Sequence, residues 1–117
     1  MLAFPYIEKT HRAYGDAGLA VWGISQHDLA RSMAFAREYG VTFPILIDEV
    51  WQASKQYDPQ FVPTQFLIDP SGQILDLVVS FDKAGLNRVA QTVATRLKVN
   101  EMLIAPNQDG NPPYRPG

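Results

Sequence analysis

Apolar residues recur along this chain with two different periods. Phe4, Ile7, His11 and Tyr14 follow one another at steps of three and four, which predicts a helix from about Leu2 to Tyr14. Pro5 is compatible only with its first turn, and Gly15 and Gly18 stop it. Leu19 to Ile24 is a short, nearly continuous apolar run, the pattern of a strand buried on both faces of a parallel sheet. Trp22 on that run reads as core. Ser25 with Asp28 three residues on predicts a capped helix over about Gln26–Tyr39, with Leu29, Met33 and Ala36 inward and Gly40 at its end. Phe43 to Asp48 follows as a short extended piece. A weaker helix over about Glu49–Tyr57 carries Trp51, Ala53 and Tyr57.

Two strands come next, about Gln65–Asp69 and Gln73–Ser80, joined by Pro70, Ser71 and Gly72. Leu86, Val89, Ala90, Val93, Ala94 and Leu97 then make the cleanest helical stripe, over about Lys83–Leu97, with Asp82 at its cap position. Helices interleaved with strands, then a hairpin and a last helix, predict an α/β sandwich around a mixed sheet. Residues 1–98 read as one domain. Residues 99–117, rich in Pro and Gly, read as an extended tail or linker, although Val99–Ile104 is apolar enough to pair as a strand or to prolong the last helix.

Composition narrows the chemistry. The net charge is −2 and Lys and Arg are scattered singly, so nothing argues for nucleic acid or an anionic membrane. No apolar stretch approaches ~18 residues, which excludes a membrane span. The chain has no cysteine, so disulfides, thiolate metal sites and a thiol nucleophile are excluded within it. His11 lies on an apolar stripe and reads as packed; His27 reads as a surface residue, and the two give no metal-ligand spacing. Asp48 and Glu49 fit a helix start, where the dipole favours acids, better than a catalytic acid pair. No Gly-rich phosphate loop and no Ser-His-Asp set is present, and no cofactor is implied.

Val62-Pro63-Thr64 precedes the hairpin, with Pro63 at the mouth of a strand, where it removes no ladder hydrogen bond. This triplet, Pro5, Gly23-Ile24-Ser25, Tyr39-Gly40-Val41-Thr42-Phe43-Pro44 with Ile47-Asp48, and the turn Asp69-Pro70-Ser71-Gly72 occur in the order and spacing found in thioredoxin-like proteins. Together they resemble the TlpA and redoxin (AhpC/TSA-related) type of thiol–disulfide oxidoreductase, over about Met1 to Leu97. Peroxiredoxins are the near neighbour; they usually carry Arg-Gly-Thr or similar before the hairpin strand.

The resemblance implies a thioredoxin-like fold, a cis-Pro63 loop shaping a substrate groove with Val62, Thr64 and Trp51, and an extracytoplasmic setting; the residues themselves leave a cytoplasmic one open. It also implies that a Cys-x-x-Cys pair would end one residue before Met1, and that the central strand leading to that pair is absent. The chain is thus expected to be an N-terminally truncated member, redox-inactive as it stands, with self-association through the exposed sheet edges closing the gap. The alternatives are a redox-dead module that binds a peptide or protein at the Pro63 groove and, within the superfamily, a thiol peroxidase.

Overall fold

The computed structural model describes residues 2–48, 50–59 and 63–116. In chain order the elements are α1 (Ala3–Tyr14), β1 (Gly23–Ser25), α2 (Leu29–Tyr39), β2 (Ile45–Ile47), α3 (Gln52–Tyr57), β3 (Thr64–Ile68), β4 (Ile74–Val79), β5 (Phe81–Asp82), α4 (Lys83–Leu97) and β6 (Tyr114–Arg115).

Helices α1 and α4 pack together and carry the core. α1 contributes Ala3, Tyr6 and Tyr14; α4 contributes Leu86, Ala90, Val93 and Ala94, and Phe81 closes one side. The stripe read on α4 faces inward, and its predicted bounds hold. Asp82 occupies its cap position without a side-chain hydrogen bond. The hairpin also holds, with Thr64 opposite Val79 and Leu67 opposite Asp76. Gly72 takes a φ of 91° in the turn, a conformation that favours glycine. Asp69 organises this turn by accepting from the backbone N–H groups of Ser71 and Gln73 at 2.9 and 3.0 Å.

The strands form three separate pairs. β1 runs parallel to β2, β3 antiparallel to β4, and β5 antiparallel to β6. Among the described residues no strand joins β1 to β3.

Residues beyond α4 fold back over the helices. Ile104 and Ala105 are buried in the core. The Asn87 amide bridges both: its Oδ1 accepts from the N–H groups of Ile104 and Ala105 at 3.2 and 2.8 Å, and its Nδ2 donates to the Ala105 carbonyl at 2.9 Å. The Tyr14 hydroxyl accepts from the Met102 N–H at 2.8 Å. Lys83, also buried, donates to the carbonyls of Pro106 and Asn111 and to Asp109.

Several expectations need correction. β1 spans three residues, not the whole run from Leu19, because β2, its only strand partner among the described residues, is itself three residues long. The run is not covered on both faces: Trp22 is 66% exposed where a core position was expected, and Ile24 is exposed as well. α2 begins at Leu29, not Gln26, because Asp28 caps it by accepting from the Arg31 N–H at 2.8 Å. Its inward face is Ser32, Phe35, Ala36 and Tyr39. Leu29 and Met33 face solvent, because Phe4 of α1 meets the other stripe through edge contacts to Phe35 and Tyr39.

Candidate functional site

The Pro63 loop enters β3 directly. The Pro63 carbonyl accepts from the Ser80 N–H at 2.8 Å, which ties the loop to the far end of β4. Thr64 follows as the first residue of β3, half-buried. Val62 lies outside the described residues, and with it the Val62–Pro63 peptide bond. Ser80 itself has a φ of 62°, an uncommon backbone for a residue with a side chain, at the point where the chain turns from β4 into β5.

Trp51 sits at the other end of α3 from this loop. It occupies the cap position with a φ of 63° and is 54% exposed. Beside it a shallow cavity of about 210 Å³ is bordered by Ile24, Leu46, Asp48 and Ala53. Tyr57, on the last turn of α3, meets Phe66 of β3 with ring centroids 5.0 Å apart. Through that contact α3 leans on the outer face of the hairpin, while its first turn borders β1 and β2.

The acids near this region are committed to structure. Asp48 caps α3, accepting from the N–H groups of Ala53 and Ser54 at 3.2 and 3.0 Å and from the Ser54 hydroxyl at 3.0 Å. The Ser54 backbone bond leads the set that lowers its carboxyl below the usual range. Glu49 lies outside the described residues. His11 packs edge-on against Phe43 and is half-buried, as its place on the stripe predicts; its Nδ1 finds no partner. His27 is exposed and stacks on Phe35. Among the described residues no group of three or more His, Asp or Glu is placed to hold a metal ion, and no helix is long and apolar enough to cross a membrane.

A nucleophile is what the site lacks. In disulfide exchange a thiolate attacks a disulfide sulfur, and no side chain of this chain can do so. What remains is surface: a strand entry at Pro63, exposed Trp51 and Trp22, and, among the described residues, no strand paired to the side of β1 away from β2. The resemblance led to the expectation of exposed strand edges, on Leu19–Ser25 and Gln65–Asp69; residue patterns by themselves could not, because edges are made of backbone. The available signal was the lack of any charged residue from Leu19 to Gln26 and from Pro63 to Ile68.

Comparison with known proteins agrees with this geometry. A solved structure from Chlorobium tepidum, described as a putative thiol:disulfide interchange protein DsbE, superposes with a TM-score of 0.72 over 82% of this chain and 69% of that one, at 24% identity. The fold is therefore thioredoxin-like, without the strand that would connect β1 to β3. The thiol-disulfide oxidoreductase ResA of Bacillus subtilis is 29% identical over 76 residues, covering 64% of this chain and 42% of its own length. ResA of Geobacillus kaustophilus is 31% identical over 75 residues, 63% of this chain and 43% of that one. Protein DipZ of Mycobacterium tuberculosis is 27% identical over 101 residues, 81% of this chain and 14% of the larger protein. The chain thus spans less than half the length of these relatives. The model of the AhpC/TSA family matches residues 2–76, most of the helical and strand framework, and the chain belongs to that family.

Proposed function

We propose that this chain is the substrate-facing scaffold of a thioredoxin-like thiol–disulfide oxidoreductase, inert toward disulfides by itself. The observation that carries this reading is the pairing of the family's fold and Pro63 strand entry with a complete lack of cysteine. The scaffold supplies a place for an extended substrate segment along Pro63 and Thr64, with Trp51 exposed at the far end of α3, and the thiols come from polypeptide outside this sequence. By kinship with the ResA-type relatives the setting is extracytoplasmic.

Insulin reduction driven by dithiothreitol tests it. The cysteine-free chain is expected to match buffer, because Met, His and Tyr cannot replace an attacking thiolate near neutral pH. Fusing about 30 residues that end in a Cys-x-x-Cys pair ahead of α1 is expected to confer turnover, and Pro63→Ala in the fusion to impair it. Turnover by the chain alone overturns the reading.

A second reading is supported by the exposed apolar residues around the cavity of Ile24 and Leu46: a redox-dead module that holds a peptide. A fusion that folds and stays inert favours it.

A further inference from the structure

Successive side chains of a strand point to opposite faces, and their contacts show what each face meets. One face meets the long helices. A Cβ on Gly23 of β1 would touch the Phe43 ring, which packs on His11 of α1, and the Ser25 hydroxyl lies 2.8 Å from that of Ser32 on α2. Leu67 of β3 enters the core of α1 and α4, Val78 of β4 meets α4 at Gly85, and Asp76 pairs with Arg88 of α4. Ile24, Leu46, Phe66 and Leu77 therefore face the other way, in register as the pairs Ile24–Leu46 and Phe66–Leu77. Ile68 and Ile74 form the next pair on that side.

Among the described residues α3 is the only helix on this second face. Its Tyr57 meets Phe66, and its Ser54 accepts from Gln26 Nε2 at 2.6 Å just beyond β1. Six residues do not cover the face. Ile24, Leu46, Ile68, Ile74 and Leu77 are each between 41% and 49% exposed. A parallel pair such as β1–β2 ordinarily has both faces covered, and contiguous exposed apolar side chains mark a place where another surface packs.

We propose that this face is the contact surface for a second copy of the chain, the two copies stacking face to face about a two-fold axis. Charge selects the occupant. The strand side chains turned this way are uncharged, so a two-fold axis sets the face against itself without bringing like charges together, and a charged partner finds no counter-charge on the strands. Shape and area agree. The molecule is a slab of 38 × 37 × 26 Å, thin in one direction, and apolar sheet faces bury each other by stacking about 10 Å apart. Its accessible surface is 7639 Å², against about 6,400 Å² for a compact monomer of this mass. That excess is larger than the ~800 Å² that each partner gives up in a stable interface. The contact needs no thiol and is independent of the redox reading.

Sedimentation of the full chain across the micromolar range is expected to show a monomer–dimer equilibrium. The two tryptophans of the chain report on it without any variant, since Trp22 lies two residues ahead of Ile24 and Trp51 caps α3, and both are exposed. Their emission is expected to move to the blue, and to resist acrylamide quenching, over the concentrations at which the dimer forms. Leu77→Lys is expected to weaken the dimer at least tenfold. Leu29→Lys, exposed on α2 in the opposite layer, is expected to leave it unchanged. Circular dichroism establishes that each variant folds, and if Leu77→Lys does not, the tryptophan titration decides. A monomer at every concentration, a dimer that leaves tryptophan emission unmoved, equal disruption by Leu29→Lys, or open-ended assembly past the dimer overturns the proposal.

Discussion

Glu8 shows how a single buried charge fixes the relation between two segments. It is 7% exposed on α1, and its carboxylate accepts from the N–H and hydroxyl of Thr42 at 2.7 and 2.6 Å and from Arg12 at 2.5 Å. Burial alone would raise its pKa. The bonds from Arg12 and Thr42 outweigh burial and bring the carboxyl from 4.5 down to about 2. A folded-state pKa below the unfolded one adds stability that is fully present above about pH 5 and is lost as pH falls from 4.5 toward 2. Glu8→Gln is therefore expected to cost about 1–2 kcal/mol at pH 7. The gap between wild type and variant should close by pH 2, as read from urea midpoints across that range. A gap that does not change with pH would show that packing, not charge, accounts for the effect. The sequence offered little hint of this role: Glu8 sits one place beyond Ile7 on a helix whose apolar stripe was legible, but its partner Thr42 is 34 residues away.

At the element scale, what could be read from the sequence was what local pattern decides. The bounds of α4 and the hairpin were legible because each carries its own stop signals and a single apolar face. α2 was legible as a helix but not in its orientation, since it has two candidate stripes and only contact with Phe4 selects Phe35 and Tyr39 over Leu29 and Met33. The Leu19–Ile24 run was read as buried on both faces, which requires a layer packed over each face, something an apolar run cannot supply by itself, and Trp22 and Ile24 are left exposed. Of the site, Pro63 and Thr64 were legible as a strand entry, whereas the exposed place of Trp51 depends on where α3 begins. The join of α4 to β4 rests on Gly85. A Cβ there would meet Val78 Cγ1 at 2.7 Å and Asp82 Oδ2 at 3.1 Å. Gly85→Ala gains ~1 kcal/mol of helix propensity and meets a fully buried Val78, where overpacking costs ~1–3 kcal/mol. A net loss of stability is expected in thermal melts. A higher melting temperature would mean that β4 can shift away from α4.

At the scale of the whole molecule, closure depends on the segment after α4. Lys83 lies at the start of α4, 3% exposed, and donates to the Pro106 carbonyl at 2.8 Å, Asp109 Oδ1 at 2.6 Å and the Asn111 carbonyl at 2.9 Å. Three donors meet three acceptors, so no proton of the ammonium is left unpaired in the interior. Asp109 is shared with the Tyr6 hydroxyl, and Asn111 Nδ2 donates to the same hydroxyl at 2.8 Å. One cluster therefore links α1, α4 and the last dozen residues, and β6 pairs with β5 just beyond it. The Lys83 ammonium is the first cause that brings the Asp109 carboxyl down to about 2, with the Tyr6 bond second. Lys83→Met removes the cation and leaves two carbonyls and a carboxylate facing a methyl group. Lys83 is buried whereas Asp109 is exposed, so the loss of stability comes chiefly from the two carbonyls left without their donor. The loss should be directional. Residues 106–116 should become cleavable under limited proteolysis, while Ile104 and Ala105 stay protected by Asn87, whose bonds do not involve Lys83. Cleavage spread evenly over the chain would instead mean that the cluster supports the whole core and not its closing segment, and an unchanged digest would remove Lys83 from any role in closure.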